Sequence, residues 1–220
     1  MIAGRFDAEI YSVLAGVLPD QGAVIWDVGA HIGFHTLGFA TAVGPTGRVV
    51  GFEPNPSNRS RLQQNLENNP DLASRIDILP CALSDRDGES PFVFSREIDS
   101  GASSMSFLEG TTPHVDSGLS TAWETIRVPL RTVDGIIRDG SAPRPDVIKI
   151  DVEGAELLVL RGAAETLRTA PPTVIVEVHS ARLVFELQQW LTSAGYDLRL
   201  LEDLAPSRIL LLATPTKNNH

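Results

Sequence analysis

Apolar residues in this chain fall into short runs that end at acids, glycines or prolines, and between those runs they recur at helical spacing. Phe6, Ile10, Val13, Leu14 and Val17, ahead of Pro19, predict a covering helix within an N-terminal segment 1–22. A first strand is predicted at about 23–28, followed by a helix over 33–43 that stops at Gly44-Pro45. A second strand at 47–53 is stopped by Pro54 and Pro56, and Ser57 is placed to cap a helix running through Asn68. A third strand at 75–80 leads into Cys81-Ala82-Leu83-Ser84-Asp85. Residues 85–131 break the pattern, being rich in Gly, Ser, Pro and Asp with short β-like pieces at 91–95 and 125–131. They predict an antiparallel hairpin around a loop at 96–122, and a loop of that length reads as a lid. A short helix at 132–138, a strand at 146–151, a helix at 154–168, a strand at 173–178 and a helix at 181–194 follow. The last two strands, 196–201 and 207–213, have no helix between them.

Strands alternating with helices predict a parallel sheet with helices on both faces, a three-layer α/β sandwich, here as a single domain over 1–220. The link Asp203-Leu204-Ala205-Pro206 permits a hairpin but no crossover helix, so the final strand should run antiparallel to the one before it. A seven-stranded Rossmann-like sheet with an antiparallel last strand resembles the class I methyltransferase fold. The usual dinucleotide-binding sheet is all parallel.

Two strand ends carry the clearest chemistry. Residues 24–33 read Val-Ile-Trp-Asp-Val-Gly-Ala-His-Ile-Gly, and residues 147–154 read Val-Ile-Lys-Ile-Asp-Val-Glu-Gly. Ligands of open α/β sheets bind outside the carboxyl ends of the strands, so these acids predict a cleft with negative walls. In Asp27-Val28-Gly29-Ala30-His31-Ile32-Gly33, Gly29 permits close backbone approach to a ligand and Gly33 tight packing at the helix start. A pyrophosphate beside Asp27 would meet like charge, a repulsion of roughly 4 kcal/mol at ~4 Å and intermediate dielectric. An ammonium or sulfonium would be attracted instead. Glu53, ending the second strand, can accept hydrogen bonds from both hydroxyls of a ribose, and backbone near Ala82 can meet an adenine edge.

Charge and composition narrow the partners. The net charge of -10, with 18 basic and 28 acidic residues and no basic run, argues against nucleic acid. The single cysteine, Cys81, excludes an internal disulfide. No stretch of about 18 apolar residues is present and the N-terminus lacks a signal pattern, so a soluble, cytoplasmic protein without membrane contact is expected.

Taken in order, Asp27-x-Gly29-Ala30-x-x-Gly33, Glu53-Pro54-Asn55, Ala82-Leu83-Ser84-Asp85 and Lys149-Ile150-Asp151-Val152-Glu153-Gly154-Ala155-Glu156 resemble the FkbM family of methyltransferases over roughly residues 24–180. His31 departs from the family, standing where an asparagine is common. The resemblance implies S-adenosylmethionine as cofactor, held by Asp27, Gly29, Ala30, His31, Gly33, Glu53, Pro54, Ala82, Leu83 and Asp151, and methyl transfer to a hydroxyl oxygen of a small molecule such as a natural product or sugar. Ser100-Gly101-Ala102-Ser103-Ser104 is similar to a Gly-Ser stretch that lies near the cofactor in the family. Candidate catalytic groups are His179, whose ordinary pKa is near neutral, with Asp151 and Glu153. Lys149 in a buried strand needs a partner, and Glu177 on the next strand is the expected one. Asp151, Glu153, Glu177 and His179 lack tight metal-ligand spacing, so no metal is expected. His114 and Trp123 are weaker candidates for the substrate side. Two rival readings remain: an NAD-dependent oxidoreductase, and a protein that binds S-adenosylmethionine without methylating anything.

Overall fold

The computed structural model describes residues 8–95, 106–111, 123–201 and 209–216. Its centre is a seven-stranded sheet. β1 (Val24–Val28), β2 (Arg48–Phe52), β3 (Ile76–Leu79), β8 (Val147–Ile150) and β9 (Thr173–Val178) run parallel. Beyond β9 lie β11 (Ile209–Pro215) and then β10 (Tyr196–Leu201), giving the order β10-β11-β9-β8-β1-β2-β3. β11 is antiparallel to both neighbours, so the expected hairpin forms and its second strand slots between β9 and β10.

The near-continuous apolar runs of β1 and β8 follow from burial on both faces. Odd positions Ile25, Val49 and Val147 pack with α1 (Ala8–Val17), α2 (Phe34–Ala42) and α3 (Pro56–Glu67). Even positions Trp26, Val28, Val50, Ile148 and Ile150 face α5 (Val133–Asp139), α6 (Glu156–Arg161), α7 (Ala164–Thr169) and α8 (Ala181–Ser193). The two-residue period of a strand thus divides one sequence run between two cores.

A second, four-stranded sheet grows from the region where the pattern broke. β4 (Ala82–Leu83) pairs with β7 (Trp123–Arg131), which pairs antiparallel with β5 (Gly88–Ser95), and β5 carries β6 (Ser106–Leu108) at its edge. Phe92, Phe94, Leu108 and Leu130 form its apolar face, which closes on Ala82 and Ala155 beside the carboxyl ends of the main sheet.

Local expectations are refined in three places. The helix expected at 154–168 is two helices. A Cβ at Gly162 would lie 2.0 Å from the Ser84 carbonyl oxygen, so the chain there hugs another backbone and bends. α7 restarts with the Asp134 carboxylate accepting from the Glu165 and Thr166 amides. The cap of α3 is Asn55, whose side chain accepts from the Ser57 amide, with Pro56 at the first helical position. A further short helix, α4 (Pro70–Ala73), precedes β3.

Candidate functional site

β1 is the central strand from which the chain departs in both directions, to β2 on one side and β8 on the other. At the carboxyl ends of these strands lies a cavity of about 400 Å³, within the range of small-molecule sites. Its floor is backbone. Gly29 has φ +84, and a Cβ there would fall 1.9 Å from the Asp151 carbonyl oxygen, so only glycine lets the tips of β1 and β8 touch. The Gly29 and Ala30 amides both donate to the Phe52 carbonyl, tying the same loop to β2. Gly33, at φ +89, caps α2 against Leu62.

Glu53, at the end of β2, lines the cavity while nearly enclosed by its own loop. Its Oε2 accepts from the His31 amide at 2.8 Å, and its Oε1 from the Asn55 amide at 2.8 Å and Asn58 Nδ2 at 3.4 Å. Burial raises its pKa to about 7 against the opposing pull of those donors. The amide of His31, a residue the resemblance implies holds the cofactor, is thus already engaged by Glu53; His31 takes φ +52 to make that turn. Gly29, Ala30, His31, Pro54, Ala82 and Leu83 all line the cavity.

Asp27 is placed differently from expectation. It is fully buried behind the cavity, its Oδ2 accepting from Thr36 Oγ1 at 2.6 Å and its Oδ1 lying 3.7 Å from Lys149 Nζ. Lys149 in turn lies 3.1 Å from Asp151 Oδ2, and its expected pair with Glu177 gives way to these two acids. The reason is register. Lys149 sits directly opposite Asp27 on β1, whereas on β9 its partner is Ile175, two residues short of Glu177. Burial works against the Lys149 ammonium, but Asp151 and Asp27, with a smaller pull from Glu177, hold its pKa well above the ordinary lysine value. Burial also works against the Asp151 carboxylate, but Lys149, followed by His179, holds its pKa below the ordinary aspartate range.

His179, just past β9, is enclosed by acids. Its Nδ1 lies 2.6 Å from Oε1 of the fully buried Glu156, and its Nε2 is 3.5 Å from Asp151, 3.5 Å from Glu153 and 4.0 Å from Glu177. Burial opposes charge on the ring, but the Glu156 bond and then Glu153 and Asp151 raise its pKa to about 9. The near-neutral value expected for His179 therefore does not apply: it is an imidazolium at pH 7, a donor with its proton already in place. Glu153 is strained at φ +49, and burial, with Asp151, Glu156 and Glu177 adding repulsion, raises its pKa to about 7 despite His179. One ligand atom each from Asp151, Glu177 and His179 lie within 4.8 Å of one another, a tighter grouping than the sequence spacing suggested.

Sequence reasoning missed Phe34, His35, Asn58, Phe92, Ser106, Leu108 and Ala155, all of which line the cavity. Asn58 was within reach, one helical turn beyond Glu53-Pro54; Phe92, Ser106 and Leu108 arrive only because the second sheet folds over the strand ends. Cys81 also lines the wall, with burial lifting its thiol pKa to about 11. Trp123 instead packs against Phe107, and Ser100-Gly101-Ala102-Ser103-Ser104 and His114 lie outside the described residues.

The sequence matches the family described as the methyltransferase FkbM domain over residues 27–198. It is 32% identical over 161 residues to the hexuronic acid methyltransferase AglP of Haloferax volcanii, covering 73% of this chain and 58% of that protein. It is 27% identical over 212 residues to the 2-O-methyltransferase NoeI of Sinorhizobium fredii, covering 94% of this chain and 81% of that one. The chain thus spans little more than half the length of the first of these relatives. In structure it is similar to the methyltransferase FkbM of Methylobacillus flagellatus, with a TM-score of 0.66 and 22% identity over 93% of this chain and 48% of that one, a likeness of fold.

Proposed function

The chain belongs to the FkbM methyltransferase family, and from that premise we propose that it methylates a hydroxyl oxygen of a small molecule using S-adenosylmethionine. The observation that carries this reading is one cavity with a ribose-type acid, Glu53, at one strand end and Asp151 and Glu153 at another, joined by the Gly29 floor, with His179 behind the two acids. Glu53 is suited to a ribose hydroxyl, since its Oε2, with the His31 amide on one lone pair, keeps the other for a ligand. Ala82 and Leu83 flank the same end with apolar wall for an adenine, and Gly29 and Ala30 leave room for the methionine portion. Asp27 serves one layer down, fixing Lys149 and through it Asp151.

When bound, the cofactor supplies an electrophilic methyl group; the remaining work is alignment and proton removal. Glu153, with a pKa near neutrality, receives the proton that the acceptor hydroxyl loses. Asp151 stays ionised beside Lys149 and accepts a hydrogen bond that orients that hydroxyl. His179, held by Glu156, positions both acids as a fixed cation. The NAD-dependent alternative loses ground because β11 is antiparallel to both neighbours.

Calorimetry with S-adenosylhomocysteine tests the cofactor, with Glu53→Ala expected to weaken binding. Mass spectrometry of acceptor libraries then looks for the gain of one methyl. Binding of NAD in place of S-adenosylhomocysteine would sink the reading.

A further inference from the structure

Asp151, just past the tip of β8, and Glu177 and His179, at the end of β9, each bring one ligand atom to within 4.8 Å of the others. β8 and β9 are parallel neighbours with Ile150 opposite Val176, so their carboxyl ends deliver the three side chains to one place. His179 Nε2 is 3.5 Å from Asp151 Oδ1 and 4.0 Å from Glu177 Oε1. Both separations exceed an N–H···O hydrogen bond of ~2.7–3.2 Å. Two ligand atoms on one divalent ion stand no farther apart than twice the bond length, about 4.2 Å for a ~2.1 Å bond. The spacing around Nε2 is thus too wide for hydrogen bonds and right for ligands that share an ion.

Two of the three ligands are also held from behind by buried groups outside the trio. Oε1 of Glu156, whose side chain has no exposure, lies 2.6 Å from His179 Nδ1 and accepts as well from the Gly154 amide at 3.1 Å. That contact keeps a proton on Nδ1 and turns Nε2 toward the acids, as a carboxylate behind a metal-binding histidine does. Lys149 plays the same part for Asp151: it donates to Oδ2 at 3.1 Å, and Oδ1 is the oxygen turned toward His179. The ammonium does not repel a cation unopposed, because Asp27 stands 3.7 Å from it on the far side.

We propose that Asp151, Glu177 and His179 bind a divalent first-row cation such as Mn²⁺ and, resting on the methyltransferase reading above, that the acceptor hydroxyl coordinates it. The ion takes the place of the Nε2 proton on His179. One imidazole and two carboxylates fill three positions of an octahedral ion and leave the rest for oxygen. Asp151 and Glu177 line the cavity, so an ion between them and His179 borders it. Coordination lowers the pKa of the hydroxyl, whose proton passes to Glu153. The hydroxyl oxygen forms its bond to the methyl carbon as the sulfur–carbon bond breaks, the electron pair of that bond goes to sulfur, and S-adenosylhomocysteine leaves.

The test needs no acceptor. The whole chain, stripped with a chelator and dialysed, is titrated with Mn²⁺ while electron paramagnetic resonance follows the free ion. Water-proton relaxation then reports on the bound ion, and calorimetry with S-adenosylhomocysteine is run on each sample. Expected are one Mn²⁺ per chain and enhanced relaxation, the sign of coordination positions still open to exchange. Glu177→Gln and His179→Gln should each weaken Mn²⁺ binding by roughly tenfold or more while S-adenosylhomocysteine still binds, which shows the variants to be folded. Glu89→Gln, which removes an exposed acid of β5, should leave Mn²⁺ affinity unchanged. No saturable site, or a loss as large in Glu89→Gln as in Glu177→Gln, overturns the proposal. A bound ion without enhanced relaxation overturns the coordination of the acceptor. S-adenosylhomocysteine binding with no Mn²⁺ site strikes the cation and leaves the methyltransferase reading intact. A Mn²⁺ site in a chain that does not bind S-adenosylhomocysteine removes that reading and the hydroxyl's place on the ion with it.

Discussion

Without the Lys149 ammonium, Asp27 and Asp151 face each other's charge, and Asp27 has no access to water. Breaking a buried pair from one side typically costs about 3–5 kcal/mol. Lys149→Met is therefore expected to lose stability on that scale in chemical denaturation, and adding Asp27→Asn should recover part of it. A wild-type midpoint for the single variant would show that the ammonium is not what holds the strand tips. Glu153 and His179 separate by a different measurement. Glu153→Gln should retain S-adenosylhomocysteine affinity and lose about 10²–10⁴-fold in turnover, the contribution of a general base. His179→Ala should lose turnover and also move the pH profile, because the imidazolium that holds the Glu153 carboxyl down toward its ordinary range is gone. An unchanged pH profile in that variant would leave His179 a merely structural neighbour.

Among the elements, the cap on α7 is the most separable test. Asp134 lies 31 and 32 residues from the two amides it accepts from, and Thr166 Oγ1 donates to it as well. Asp134→Ala should cost roughly 1–2 kcal/mol, the scale of a lost cap, without altering S-adenosylhomocysteine affinity. β6 makes the opposite case: Ser106 and Leu108 line the cavity from an edge strand, so amide exchange at 106–108 should slow when S-adenosylhomocysteine is added. Unchanged exchange would mean that the second sheet is a wall indifferent to the ligand. These elements also show what sequence could convey. The strands of the main sheet were legible because burial on both faces leaves runs such as Val147-Ile148-Lys149-Ile150 with few alternatives. The motif acids were legible because they end those runs. Which acid would meet Lys149 was not, since that depends on register between strands more than a hundred residues apart, Asp27 opposite Lys149. Nor was the raised pKa of His179 visible, because Glu156 reaches it from a helix 23 positions earlier.

Over the whole molecule, the buried ionisable groups make acid conditions favourable. Glu53 and Glu153 rise from 4.5 to about 7, and His179 from 6.5 to about 9. Each binds its proton more tightly folded than unfolded, so its contribution is full below the unfolded value and is lost as pH rises through the folded one. Asp151 is shifted the other way and gives up its contribution as pH falls below the ordinary aspartate range. The melting temperature should accordingly be highest near pH 4–4.5 and decline from there toward pH 9; a profile that climbs over that interval would contradict the electrostatics described for the site. No described helix is long and apolar enough to cross a membrane. Gly29 also meets the Asp151 carbonyl with no side chain between them. The spacing between the tips of β1 and β8 is fixed by main chain meeting main chain, which no side-chain exchange can stretch. Attempts to engineer this protein toward bulkier acceptors should therefore succeed at the walls and the second sheet. Substitutions at position 29 should yield unfolded protein in place of a wider gap.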